Sequence, residues 1–250
     1  MNKEEELFQK RLTDLANCSQ QRDIVCFTDF MNLNELNIFH SSQQKFSFVK
    51  WKTFGGYEAA ERQMAAFIPD ALSYDWEFPV SCLKIEPLNR RFAEKLTHRD
   101  YLGAVLNLGI DRGKIGDILP GEEGTWMFCH QSMEDFICSE IHRIRHTEVR
   151  CFVDNGSCTV SVNREKIAGS VSSIRLDAVL SLAFKGSRSS LSRLIEEGKV
   201  FVNGRLVTSN GCSLKEEDII SVRGMGKFKY LGQCSTTKKG KLLVEIEKYK

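Results

Sequence analysis

Two apolar repeats of helical period, set one after the other ahead of a strand and a tight turn, limit this chain more than any other feature. In "SIRLDAVLSLAF", residues 173–184, Leu176, Val179, Leu180, Ala183 and Phe184 fall at i, i+3, i+4, i+7 and i+8 and share one face. In "SRSSLSRLIEEGKVFVNGRL", residues 187–206, Leu191, Leu194 and Ile195 repeat the spacing, Gly198 ends the helix, and Asn203-Gly204 reads as a hairpin turn. Arg175 and Arg188 open the two helices, with a run of serines around the second. A helix N-terminus carries orphan N–H donors and about half a positive charge, so hydroxyls and guanidinium groups gathered there complete a cradle for a phosphate.

The charge distribution supports an anionic partner. The net charge is +2, but residues 1–169 hold 20 Lys+Arg against 25 Asp+Glu, whereas residues 170–250 hold 15 against 8. A basic third on an acidic body points to one module that meets a polyanion. With 42% hydrophobic residues in 250, the chain can bury real cores. No apolar run reaches the ~20 residues that span a bilayer, and the acidic, polar start is unlike a signal sequence, so a cytoplasmic protein without a membrane partner is expected. The nine cysteines (18, 26, 82, 129, 138, 151, 158, 212 and 234) contain no C-x-x-C pair and no Cys/His cluster of zinc spacing. They read as reduced thiols, with no metal site and no cofactor.

The fold class expected is α+β in three small domains. Residues 1–80 form an N-terminal α+β domain: a helix with Phe8, Leu12 and Leu15 on one face, a strand in "KFSFVKWKTFGG" with Phe46, Phe48, Trp51 and Phe54, and a helix in "YEAAERQMAAF" stopped by Pro69. Residues 81–168 read as βαββαβ. The strands are "VSCLKIEP", "KIGDIL", "TWMFCH" and "EVRCFVD". One helix, "THRDYLGAVLNLG", is capped by Thr97, carries Leu102, Val105 and Leu106 on its apolar face, and ends at Gly109. The other, "SMEDFICSEIHRI", has a Ser132/Asp135 cap and places Met133, Phe136, Ile137, Ile141 and Ile144 on one side. That order is the ferredoxin-like arrangement shared by RNA-recognition modules and many unrelated functions. Residues 173–250 form a small domain of two helices and strands with a basic C-terminal extension.

Several motifs lead elsewhere. "HRD" at 98–100 lacks the Asn that a kinase loop needs five residues on, where Val105 stands. "LGIDRGKIGD" runs from helix to strand, the reverse of a dinucleotide fold. Gly55-Gly56 is followed by no lysine in P-loop spacing and reads as a plain turn. Trp126 and Phe128 point to one face, either as a stacking platform for bases or as core. His98, His130, His142 and His146 have no nucleophile or metal partner in the sequence.

The helices followed by "GKVFVNG" and "DIISVRG" resemble the RNA-binding domain named after small-subunit ribosomal protein S4, over about residues 173–229. The resemblance implies that Arg175, Arg188, Ser189 and Ser190, with Lys199 and Arg205, approach the sugar-phosphate backbone of structured RNA. Over nearly the whole chain, "GGYEAAER", "HRDYLGAVLNLGIDRGKIGDI" and "RGMGKFKY" are similar to the YlmH family of bacterial proteins. That likeness implies a non-catalytic protein that binds rRNA or tRNA on the large ribosomal subunit and acts on stalled nascent chains, with no small-molecule substrate. The family also carries a cell-division label. Two other classes stay open: an rRNA-modifying enzyme, pseudouridine synthase-like or a methyltransferase, and an adaptor in cell division. "RLD" at 175–177 copies a pseudouridine synthase triplet, but it opens an amphipathic helix, where Asp177 reads as a helix N-terminal charge.

Overall fold

The computed structural model of the chain describes residues 3–121, 124–154, 164–237 and 240–249. The chain divides into two units, Met1–Val160 and Ser161–Lys250, and it mixes helix and sheet throughout.

The first unit opens with α1 (Lys3–Arg22), acidic in its first turn and ending on Arg22, in keeping with the helix dipole. It buries Leu12 and Ala16. After β1 (Cys26–Phe27), α2 (Leu33–Ser41) starts on a capping box in which Asn32 and Glu35 each accept from the other's end of the turn. The expected strand across Phe46 and Phe48 is shorter. Gln43–Phe46 is a 3-10 turn that sinks Phe46 into the core, and β2 covers only Lys50–Phe54. The expected helix in "YEAAERQMAAF" is absent: Met64–Ile68 is strand β3, buried at all five positions between β1 and β2. A continuous apolar run fits a buried strand as well as a buried helix, and local periodicity cannot separate them. Its approach is held by a distant residue, because the Asp117 carboxylate accepts from Tyr57 Oη and the backbone N–H groups of Glu61 and Arg62.

The rest of the unit holds a second sheet, of β4 (Val80–Pro87), β5 (Ile115–Gly121), β6 (Gly124–His130), β7 (Arg143–Ile144) and β8 (Thr147–Val153). Its order is β5-β6-β4-β8-β7 and every pair is antiparallel. Residues 122 and 123 of the "PGEEG" turn lie outside the described residues. Between β4 and β5 lies α3 (His98–Asn107), with a Thr97/Asp100 capping box. It buries Tyr101 and Val105 and leaves Leu106 exposed. Between β6 and β7 the expected helix is cut back to α4 (Glu134–Glu140). Ser132 does not cap it, since both the backbone N–H and the hydroxyl of Ser132 meet His130 Nδ1. Ile141 and Ile144 are core beyond the helix, and Phe136 stays exposed.

The second unit contains β9 (Arg164–Val171), α5 (Leu176–Ala183), α6 (Arg188–Glu196), β10 (Val200–Val202), β11 (Arg205–Leu206), β12 (Ile219–Val222), β13 (Gly226–Thr236) and β14 (Leu242–Tyr249). These strands form one sheet in the order β11-β10-β12-β13-β14-β9. The boundary expected between 168 and 173 therefore moves, since β9 pairs with β14 from Arg164 to Val171. The basic stretch expected as an extension supplies β13 and β14. The apolar stripe of the first repeat is buried in full, and Leu191 and Ile195 join it against Val200, Ile220, Phe228 and Val244. Asn203 and Gly204, at φ 49° and 77°, form the hairpin between β10 and β11.

Candidate nucleic-acid interface

The entrances of α5 and α6 meet at one carboxylate. Arg175 takes the extended backbone that precedes α5, and the segment after β11 holds it there, through an Arg175–Ser213 bridge and a hydrogen bond from Leu176 N to Cys212 O of 2.8 Å. Asp177 lies one residue inside the helix. It is buried, and its side chain is 6% exposed where those of Arg175 and Arg188 are 46% and 61%. Arg175 Nε donates to Asp177 Oδ1 at 3.1 Å, and Arg188 Nη2 donates to Oδ2 at 3.1 Å. The two arginines that the sequence places on separate helices thus share an anchor, and each keeps much of its surface in solvent. Two guanidinium groups so close would repel without the carboxylate between them, so Asp177 is what allows them to sit side by side.

Sequence reasoning read Asp177 only as a helix charge and missed this role. The available signal was the spacing: a carboxylate two residues after one helix-opening arginine and eleven before another.

The serine hydroxyls are also bonded within the first turn of α6. Ser187 is the N-cap of α6, its Oγ accepting from Ser190 N at 3.1 Å. The Ser190 hydroxyl donates to Ser187 O at 2.8 Å, and the Ser189 and Ser187 hydroxyls bond each other at 3.0 Å. The hydroxyls therefore fix the first turn of α6 and the direction in which Arg188 leaves it. Lys199 and Arg205 are not part of this cluster. Lys199 lies beyond the far end of α6, a nine-residue helix about 13 Å long, and pairs with Glu197 at 2.7 Å. Arg205 is exposed on the edge strand β11.

In the first unit the possible stacking pair on β6 divides. Phe128 is 1% exposed and stacks on Tyr57 at 5.2 Å, within a cluster that includes Phe30 and Met64. Its ring lies so close to Gly56, at φ 100°, that a Cβ there would fall 2.1 Å from it. Trp126 is half-buried, donating from Nε1 to Asp154 at 3.2 Å with Lys84 over its ring. Phe128 is core, so Trp126 and Phe128 do not form a stacking pair for bases.

Burial and the nearby Arg112 lower the pKa of His98, and burial and Lys114 lower that of His130. Among the described residues no three His, Cys, Asp or Glu gather as metal ligands, and the eight described cysteines are free thiols. Cys158 lies outside the described residues. No described helix is long and apolar enough to cross a membrane.

Paired helices with exposed arginines at their entrances, packed on an antiparallel sheet, fit a small RNA-binding module, and comparison with known proteins agrees. Residues 174–220 match the family model of the S4 domain, and residues 74–155 match the model described as "Putative RNA-binding domain in YlmH". The chain is 28% identical, over 99% of its length and 96% of the relative's, to "Ribosome-associated protein quality control protein P2" of Bacillus subtilis. A solved structure, "Cell division protein ylmH from Streptococcus pneumoniae", matches with a TM-score of 0.51 at 22% identity, covering 62% of this chain and 93% of that one. The chain is thus similar to the YlmH domain model over residues 74–155 and carries an S4 domain toward its C-terminus.

Proposed function

We propose that this protein is a non-catalytic, cytoplasmic RNA-binding protein that associates with the large ribosomal subunit, contacts rRNA or tRNA there, and acts on stalled ribosomes in nascent-chain quality control. The observation that carries the RNA-binding part is the Arg175–Asp177–Arg188 cluster. Two guanidinium groups, locked to one buried carboxylate and open to solvent, present paired charged donors that phosphate oxygens can accept from. Arg175 and Arg188 clamp phosphates, Ser189 and Ser190 shape the turn that aims Arg188, and Lys199 and Arg205 add peripheral contacts. The ribosomal part is supported by the full-length likeness to the B. subtilis relative and by what its name states. In this reading residues 81–154 are a ferredoxin-like domain beside the N-terminal α+β part, supported by the strand order β5-β6-β4-β8 with crossovers through α3 and α4. The non-catalytic reading is supported by Asp177, whose two carboxylate oxygens both face guanidinium groups.

The test is sedimentation of lysate from cells that express the full-length protein, with salt and RNase controls. The protein should travel with large subunits at low salt and leave them at high salt, and the Arg175→Ala/Arg188→Ala protein should remain at the top of the gradient. A double variant that still travels with large subunits would contradict the assignment.

A further inference from the structure

The first unit is acidic overall, yet several of its exposed cations lie on the β4–α3 loop and the β7–β8 hairpin. The loop, residues 88–97, reads "LNRRFAEKLT" and leads into His98 and Arg99; the hairpin carries Arg143 and Arg145. Three contacts hold the two together: Leu88 N to Glu148 O at 2.9 Å, Glu94 N to Thr147 Oγ1 at 3.1 Å, and Arg145 Nε to Asp100 Oδ1 at 2.6 Å. Asp100 also closes the α3 capping box, so the hairpin tip is tied to the helix start. Burial opposes ionisation of Asp100, but the Thr97 hydrogen bonds outweigh it and hold its pKa below the ordinary value, with Arg145 adding to the effect.

Around this frame Arg91, Lys95, Arg99 and Arg143 are exposed, and none of them forms an ion pair with a described carboxylate. Among them stands Phe92, 77% exposed, with the Arg91 guanidinium 5.9 Å from its ring centroid, and Leu88, 60% exposed, is close by in the loop. Arg143 also donates from Nε to the Arg145 carbonyl at 2.9 Å, which fixes it on the hairpin. An aromatic ring held out in water beside a guanidinium, with further exposed cations on the same loop, matches how proteins hold single-stranded nucleic acid. Bases stack on the exposed faces and phosphates lie on the cations, whereas a paired helix offers no unstacked base to such a ring.

We propose that this surface is a second RNA-binding site, separate from the helix entrances of the second unit, and that it takes a single-stranded stretch of RNA. Phe92 stacks on a base, and Arg91, Lys95, Arg99 and Arg143 receive the flanking phosphates. The site lies within residues 74–155, which match an RNA-binding domain model that names no contact surface. The inference rests on the RNA-binding reading above, and its test separates the two.

Fluorescent oligouridylate of about ten nucleotides, within the usual site size, and a labelled RNA hairpin are each titrated with full-length protein at several salt concentrations. Phe92→Ala should weaken oligouridylate binding about tenfold, and Phe92→Tyr should restore it. Arg91→Ala/Lys95→Ala should lower the log–log salt slope by about 1.4, or ~0.7 for each single-strand phosphate contact. Thermal melts should not change, because these side chains are exposed. Hairpin binding should depend instead on Arg175 and Arg188. If oligouridylate affinity is unchanged in Phe92→Ala and Arg91→Ala/Lys95→Ala while hairpin binding still needs Arg175 and Arg188, the inference fails and the RNA-binding reading stands. If the hairpin ignores Arg175 and Arg188, that reading fails, and the oligouridylate series judges the loop by itself. Loss of binding to phosphatidylserine vesicles in Phe92→Ala, with oligouridylate binding intact, would overturn the proposal in favour of a membrane-facing surface.

Discussion

Arg62 and Arg112 in the first unit and Arg175 and Arg188 in the second are the same kind of residue put to opposite uses. Arg62 is turned inward. Its Nε donates to the carbonyl of Ile115, and its Nη2 donates to those of Phe30 and Arg112, at 2.8–3.1 Å. Arg112 donates to Ile115 and Gly116. Burial lowers the pKa of both, and for Arg112, which also feels the charge of Arg62, it falls to about 10. In the second unit the guanidinium groups are anchored at one edge by Asp177 and remain open. A count of basic residues therefore does not map a binding surface. What matters is whether an arginine's donors are committed to the fold or left facing outward.

The sharpest way to break this comparison is to remove an inward arginine. Arg62→Ala deletes three charge-assisted hydrogen bonds to backbone carbonyls and should destabilise the first unit by roughly 3 kcal/mol. All three tryptophans, 51, 76 and 126, lie in that unit, so urea unfolding followed by tryptophan fluorescence reads it alone. A loss of only a few tenths of a kcal/mol would put Arg62 among the surface cations.

Next in size come the outward pair. Arg175→Ala and Arg188→Ala should each weaken RNA binding about tenfold, since a well-made bond from a charged donor contributes ~1.5 kcal/mol or more. Either single variant leaves Asp177 one partner and should melt close to wild type. The double variant leaves a buried carboxylate with neither arginine, so it should lose stability as well as affinity. Singles that destabilise as much as the double would show that the arginines serve the fold, like Arg62.

Much of the second unit was legible because its signals are local. Leu176, Val179, Leu180 and Ala183 declare their face by spacing alone, and Asn203-Gly204 declares its turn. The first unit hides its determinants in distant partners. Nothing within "YEAAERQMAAF" shows that Asp117, some 55 residues on, fixes the backbone of Glu61 and Arg62, nor that β1 and β2 flank Met64–Ile68. Ser132 looks like a cap until His130 is seen to hold it. The arginine cluster was half legible. Both guanidinium groups could be named from the sequence, but the carboxylate that joins them could not, because its burial depends on how α5 and α6 pack.

Acid should affect the first unit through Glu86, whose carboxylate accepts from Lys84 and Arg150, both at 2.7 Å. Those hydrogen bonds, Lys84 first, lower its pKa below the ordinary 4.5 against the opposing effect of burial. A folded pKa below the unfolded one stabilises above the unfolded value, and that stabilisation is lost as pH falls through the folded value. The gap in tryptophan-monitored urea midpoint between wild type and Glu86→Gln should thus be full at pH 7 and shrink below about pH 4. A gap that does not change with pH would remove the ion pairs from the account. The smallest effect belongs to Lys199 and Arg205, which lie outside the cluster. Alanine at either should change RNA affinity less than about threefold, and a larger loss would extend the interface along α6 or onto β11.

The central claim is that Asp177 positions the two arginines, and Asp177→Asn tests it most directly. The substitution raises the net charge of the protein by one, so attraction by bulk charge alone would tighten RNA binding. With the ionic anchor gone, Arg175 and Arg188 lose their shared orientation, and titration of a structured RNA should show affinity reduced several-fold across sequences. Affinity equal to or tighter than wild type, in a protein that melts as a folded chain, would contradict the claim.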